Sequence, residues 1–163
     1  MFFHHDHLKL YYQKSGHGPA IILLHGNGED HTLFADLITY LAPHYTVIAL
    51  DSRDHGQSSA TEQLSYDAMT SDVSALITEL ELARPIILGF SDGGIIALLL
   101  AIRHPEQVGA IVRPGDGGPL AVVVLIRFGH CLNQGCADEF LWPKQNIMIL
   151  TEHQNLHLLA VTE

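Results

Sequence analysis

Residues 85–105 read PIILGFSDGGIIALLLAIRHP, and this stretch decides the fold. PIILGF (85–90) is a short apolar run of β character, the pattern of a strand buried on both faces. GGIIALLLAIRHP (93–105) is an almost entirely apolar helix that Pro105 ends. Between the two lies GFSDGG (89–94), which places one hydroxyl, one carboxylate and three glycines where everything around is apolar. Gly89-Phe90-Ser91-Asp92-Gly93 is a G-x-S-x-G pattern. Taken alone it is ordinary turn chemistry, with Ser91 a favoured N-cap for the helix that follows. What it means depends on what surrounds it.

Outward from this stretch the same grammar repeats. KLYYQKSG (9–16) reads as a strand entering a glycine turn, and AIILLHG (20–26) as a strand buried on both faces. TLFADLITYLAP (32–43) carries Leu33, Phe34, Leu37, Ile38 and Leu41 at helical spacing and stops at Pro43. YTVIALD (45–51) is the next strand. SYDAMTSDVSALITELEL (65–82) sets Tyr66, Met69, Val73, Leu76, Ile77 and Leu80 on one helical stripe. GAIV (109–112) reads as one more strand. This alternation predicts the α/β class, a mostly parallel sheet flanked by helices on both faces.

Beyond Val112 the alternation stops. AVVVLIRF (121–128) and NIMIL (146–150) read as strands, and TEHQNLHLLAVTE (151–163) as a short amphipathic helix. A parallel crossover needs a dozen or more residues. The loop RPGDGGPL (113–120) is too short for one, so the run at 121–128 either pairs antiparallel or lies elsewhere. The organisation expected is a single domain over 1–163, with a recognisable core at 8–112 and a divergent tail at 113–163.

Composition narrows the function classes. The chain has 163 residues, 47% hydrophobic and 16% charged, which is globular rather than disordered. A net charge of −10 argues against nucleic acid or an anionic membrane as partner. The apolar run Leu120–Ile126 falls far short of the roughly 20 residues of a membrane span. MFFHHDHLKL has no basic segment followed by an apolar core, so no secretory signal is read. Two cysteines, Cys131 and Cys136, make no disulfide framework, which makes the cytoplasm the expected compartment. His4, His5, Asp6 and His7 invite a metal reading. In a strand only two of them share a face, so a solvated edge is the better one.

Ligands of such a sheet gather at the carboxyl ends of its strands. Three loops lie there: HGNGED (25–30), DSRDHGQS (51–58) and GFSDGG. Glycines two before and two after Ser91 suit a sharp turn that lifts the hydroxyl clear of the backbone. The turn also sets Ser91 at a helix N-terminus, where the Asp92 amide would face a developing oxyanion. The Asn27 amide would supply the second donor. Gly26-Asn27-Gly28-Glu29-Asp30-His31 also approaches a dinucleotide fingerprint, with Asp51 placed for a ribose. Against that, His31 replaces the third glycine, and Glu29 and Asp30 would repel a pyrophosphate.

The three motifs, in this order and on these elements, resemble the α/β-hydrolase fold family, its esterase and lipase-like branch, over about residues 8–112. The resemblance implies that Ser91 is a nucleophile and that Asn27 and Asp92 supply oxyanion-hole amides. His25 and Gly26 would shape the first loop, and Asp51, Arg53, Gly56 and Ser58 would form a structural turn. Asp54 stands where the family commonly has glycine, and aspartate is among the residues that best tolerate a positive φ. The family order is serine, acid, histidine. His153 after NIMIL is the candidate base and Asp138 the candidate acid. Asp116, His130 and His157 are alternatives.

The function implied is hydrolysis of a small ester or related acyl substrate, with no metal or organic cofactor. Phe90, Leu33 and Phe34 would line the site. The alternative is a tail that leaves the triad incomplete, giving a binding module or a partner-dependent fragment. An open sheet edge would then favour a homodimer.

Overall fold

Ile21 to Leu24 has no polar face because both of its faces are covered. Ile22 and Leu24 point to one side of the sheet and Ile21 and Leu23 to the other, all of them buried. The structure is a computed structural model that describes residues 1–62, 64–115, 121–126, 146–150 and 156–160, with side-chain surroundings described as far as residue 111.

The strands are β1 (Phe2–His5), β2 (Leu8–Ser15), β3 (Ala20–Leu24), β4 (Thr46–Leu50), β5 (Ile86–Gly89), β6 (Ala110–Gly115) and β7 (Ala121–Ile126). They form one sheet in the order β1-β2-β4-β3-β5-β6-β7. The centre, β4-β3-β5-β6, is parallel, with Ile21 opposite both Val47 and Ile86. β1 and β2 form an antiparallel hairpin whose turn puts Asp6 and His7 at φ of 47° and 65°. β7 pairs antiparallel with β6, as the short connection requires. β8 (Asn146–Leu150) and β9 (Leu156–Ala160) form a separate antiparallel pair. The helix expected over 151–163 is therefore corrected, because residues 156–160 are extended and bonded to β8. A run as short as LHLLA carries no decisive period.

Among the described residues three helices cover the sheet: α1 (Ala35–Leu41), α2 (Tyr66–Glu79) and α3 (Asp92–Arg103). Phe34, Ile38 and Leu41 close one face over Ile21, Leu23, Val47, Ala49 and Leu88. Met69, Val73, Leu76 and Ile77 of α2, with Ile96, Ala97 and Leu100 of α3, close the other over Ile22, Leu24, Ile48, Leu50 and Ile87. Each such Val, Leu, Ile, Met or Phe side chain contributes about 1.5–3 kcal/mol on burial. Ser65 caps α2, its side chain accepting from the Ala68 amide. Among the described residues no helix is long and apolar enough to cross a membrane.

Two side chains depart from expectation. Phe34 is buried beneath the sheet face rather than lining a site, because residues 31–34 form a 3₁₀ turn that directs it inward. Tyr66 stays outside its stripe, 39% exposed, with its hydroxyl turned toward α3.

Candidate active site

The loops after β3, β4 and β5 meet at one end of the sheet. The Phe90 amide donates to the Leu24 carbonyl at 2.9 Å, extending the β3–β5 pairing by one residue before the chain turns. Ser91 then adopts φ 50° and ψ −116°, a conformation that L residues rarely hold. Its carbonyl accepts from the Gly94 amide at 2.9 Å, and the helix starts at Asp92. Its side chain makes no capping hydrogen bond, and the residue is exposed. The helix-cap reading of Ser91 therefore fails. The hydroxyl is presented outward while the backbone bears the strain, a cost of order 1–3 kcal/mol that surrounding packing must offset.

The flanking glycines are required by space. A Cβ on Gly89 would collide with the Gly93 carbonyl, and one on Gly93 with the Leu24 carbonyl. A Cβ on Gly26 would lie 3.0 Å from Ser91 Cβ, 3.3 Å from Phe90 Cδ1 and 2.7 Å from Glu29 Oε2. The structure thus brings the HGNG loop directly against Ser91, as the motif order implied.

His25, 1% exposed, welds this loop to the next. Its Nδ1 donates to the Gly26 carbonyl at 2.7 Å, and its Nε2 accepts from the Ser52 amide at 3.0 Å. A carbonyl on one side and an N–H on the other fix the neutral Nδ1–H tautomer. Burial pushes the imidazole below its ordinary value. Asp51 anchors the loop after β4, its carboxylate accepting from the His31 amide, His31 Nδ1 and the Gln57 amide at 2.7–2.8 Å. Ser58 Oγ donates to the Asp51 carbonyl at 2.7 Å, and Gly56 takes φ 52°. Asp54 sits at φ 64°, the backbone state expected where the family pattern has glycine.

Arg53, fully buried, donates from Nε and Nη2 to the two Asp72 oxygens at 2.7 Å each. Burial pushes the Asp72 carboxyl up and the guanidinium pulls it down, while the pairing holds Arg53 above its ordinary value. Two charge-assisted bonds to one fork keep the pair ionised.

Asn27 is exposed and Asp92 half-buried, and among the described residues neither backbone amide has an acceptor. The Asp92 carboxylate accepts from the Tyr66 hydroxyl at 3.0 Å, which holds Tyr66 above its ordinary value. Phe90 and Leu33 stay open at 39% and 46% exposure. Asp138, His153, Asp116 and His130 lie outside the described residues. His157 falls on β9, opposite Ile149 in register.

Asp30, His31 and Asp51 offer ligand atoms within 4.8 Å of one another. The Asp51 oxygens are already engaged by His31 and Gln57, and Asp30 Oδ1 accepts from the Thr32 hydroxyl at 2.5 Å and the Thr32 amide at 2.8 Å, which lowers its pKa. This cluster is a hydrogen-bonded clamp between loops. At the N-terminus, His5 Nε2 bonds Ser71 Oγ at 3.0 Å, and His4, Asp6 and His7 are exposed. The sequence reading took Glu29 only as a charge that would repel a pyrophosphate and Tyr66 only as a stripe residue, whereas Glu29 bonds the Gly26 amide and Tyr66 bonds Asp92. Glu29 had a local signal, an acidic residue three positions after a turn amide, the spacing of a capping box. Tyr66 had none.

The family model for the alpha/beta hydrolase fold matches residues 19–113. The hydrolase YraK of Bacillus subtilis (strain 168) is 35% identical over 106 residues, covering 63% of this chain and 39% of that protein. The sn-1-specific diacylglycerol lipase ABHD11 of Mus musculus is 35% identical over 96 residues, covering 58% and 31%. The structure of Est816, described as an N-acyl homoserine lactone degrading enzyme, superposes with a TM-score of 0.68 at 29% identity, covering 70% and 44%. The chain spans less than half the length of each of these relatives.

Proposed function

The chain belongs to the α/β hydrolase fold family, and from that premise we propose that it hydrolyses a small ester or related acyl substrate through an acyl-Ser91 intermediate. The observation that carries this reading is the backbone of Ser91, held at φ 50° and ψ −116° with a side chain that caps nothing. A residue is kept in such a state only when its neighbours over-determine it, and here Gly89, Gly93 and Gly26 make the room.

In this mechanism Ser91 Oγ attacks the substrate carbonyl carbon while His153 takes its proton, oriented by Asp138. The carbonyl oxygen becomes an oxyanion that accepts from the Asn27 and Asp92 amides, neither of which has an acceptor among the described residues. The ester C–O bond breaks, the alcohol leaves with the proton from His153, and water then cleaves the acyl-serine by the same route. Exposed Phe90, next to Ser91 in the chain, favours an apolar acyl group. The lipase and lactone-degrading relatives act on acyl compounds by their names, which supports the same class.

The test is turnover of a short-chain p-nitrophenyl ester by wild type, Ser91→Ala, Asp138→Ala and His153→Ala. All three variants are expected to lose at least about 10³-fold in kcat. Wild-type turnover that survives Ser91→Ala would sink the proposal, and activity that survives His153→Ala would replace the base.

A further inference from the structure

We infer that Glu29 is a positioning residue, which latches the HGNG turn so that the Asn27 amide faces the reacting carbonyl oxygen. The inference rests on the serine-hydrolase reading above. Glu29 Oε2 accepts from the Gly26 amide at 2.9 Å, and the Glu29 amide reaches back to the Gly26 carbonyl at 3.4 Å. The residue therefore grips Gly26 from both ends. The Gly26 carbonyl also accepts from His25 Nδ1 at 2.7 Å. That carbonyl and the Asn27 N–H belong to one planar trans peptide and point opposite ways. The carbonyl is held by His25 Nδ1 and the Glu29 backbone amide, and the Gly26 N–H by the Glu29 carboxylate; together they hold both peptides of Gly26 and so the direction of the Asn27 donor.

The latch lies at the nucleophile. One methyl placed on Gly26 would touch both Glu29 Oε2, at 2.7 Å, and Ser91 Cβ, at 3.0 Å. The remaining possibility, that Glu29 serves in an ion pair, has no support. No Lys, Arg or His pairs with it among the described residues. The role is that of an acceptor. A negative charge so close to a developing oxyanion opposes the reaction rather than helping it. Glutamine, which keeps an acceptor oxygen and drops the charge, should serve as well.

The experiment uses the full chain and the variants Glu29→Ala and Glu29→Gln. It reads the rate of Ser91 modification by a fluorophosphonate, kcat and KM on a p-nitrophenyl ester, the melting temperature, and hydrogen exchange of the Gly26 amide. Glu29→Ala is expected to slow modification and kcat at least about tenfold. KM and the melting temperature should barely move, and the Gly26 amide should exchange faster. Glu29→Gln is expected to restore both rates and the protection. Glu29→Ala indistinguishable from wild type overturns the inference, and so does Glu29→Gln as slow as Glu29→Ala. Failure of wild type itself to label at Ser91 sinks the hydrolase reading, and the positioning role with it. Labelled wild type with unaffected Glu29→Ala sinks Glu29 alone.

Discussion

Replacing Ser91 with glycine is expected to stabilise the chain while abolishing its chemistry. At φ 50° and ψ −116° an L side chain is strained, by about 1–3 kcal/mol. Glycine removes that strain and adds about 0.5–1 kcal/mol of backbone freedom to the unfolded chain. A capping serine would forfeit a further ~1 kcal/mol on replacement, but the Ser91 side chain caps nothing, so that loss is absent. The balance is a gain near 1 kcal/mol, a rise in Tm of about 2–4 °C for a chain of this size. Ser91→Ala keeps the strain and loses no cap, so its stability should stay within about 0.5 kcal/mol of wild type. Thermal and urea unfolding followed by circular dichroism read both variants. A fall in Tm for Ser91→Gly, or a loss of about 1 kcal/mol for Ser91→Ala, would show the hydroxyl holding α3 in place and would refute the strained-nucleophile argument.

Three other outcomes follow from the same geometry. Gly93→Ala should destabilise despite the ~1 kcal/mol that alanine gains in a helix, because the new methyl meets the Leu24 backbone, which cannot turn aside as a side chain would; urea midpoints decide, and a stabilised variant contradicts the packing of α3 on β3. Asp72→Ala should cost about 3–5 kcal/mol by stripping a buried guanidinium of two acceptors, with Arg53→Met/Asp72→Leu recovering most of it; equal Tm for wild type and Asp72→Ala would contradict the ion pair. His25 is held below its ordinary pKa of 6.5 in the fold, so the unfolded chain takes the proton first as pH falls. Its contribution is complete above about pH 6.5 and declines below it, by at most ~1.4 kcal/mol per pH unit. His25→Gln should flatten that part of the stability profile, and an unchanged slope would contradict the neutral tautomer.

The fold was legible because its decisive signals are local. An apolar run such as Ile21–Leu24, short and bounded by turns, reads as a strand covered on both faces, and the short connection between β6 and β7 permits only an antiparallel pair. The glycines of GFSDGG stated their own requirement, and the comparison of three loops gave their common location. What escaped depends on where a side chain ends up after packing. Tyr66 fits its helical stripe by spacing, yet it sits in the first turn of α2, where Asp92 of α3 offers an acceptor. Phe34 looked like a lining residue, but a 3₁₀ turn places it under the sheet face. Residues 156–160 show why short apolar runs mislead, since LHLLA suits either period until a partner strand is known.

The claim that Ser91 becomes acylated is tested most directly by trapping the intermediate. Wild type is mixed with a short-chain p-nitrophenyl ester, quenched in acid within the first turnovers, and mapped by peptide mass spectrometry. The account predicts an acyl group on the peptide carrying Ser91, absent from Ser91→Ala. An acyl group on any other residue, or none in a wild type that still releases p-nitrophenol, would contradict it.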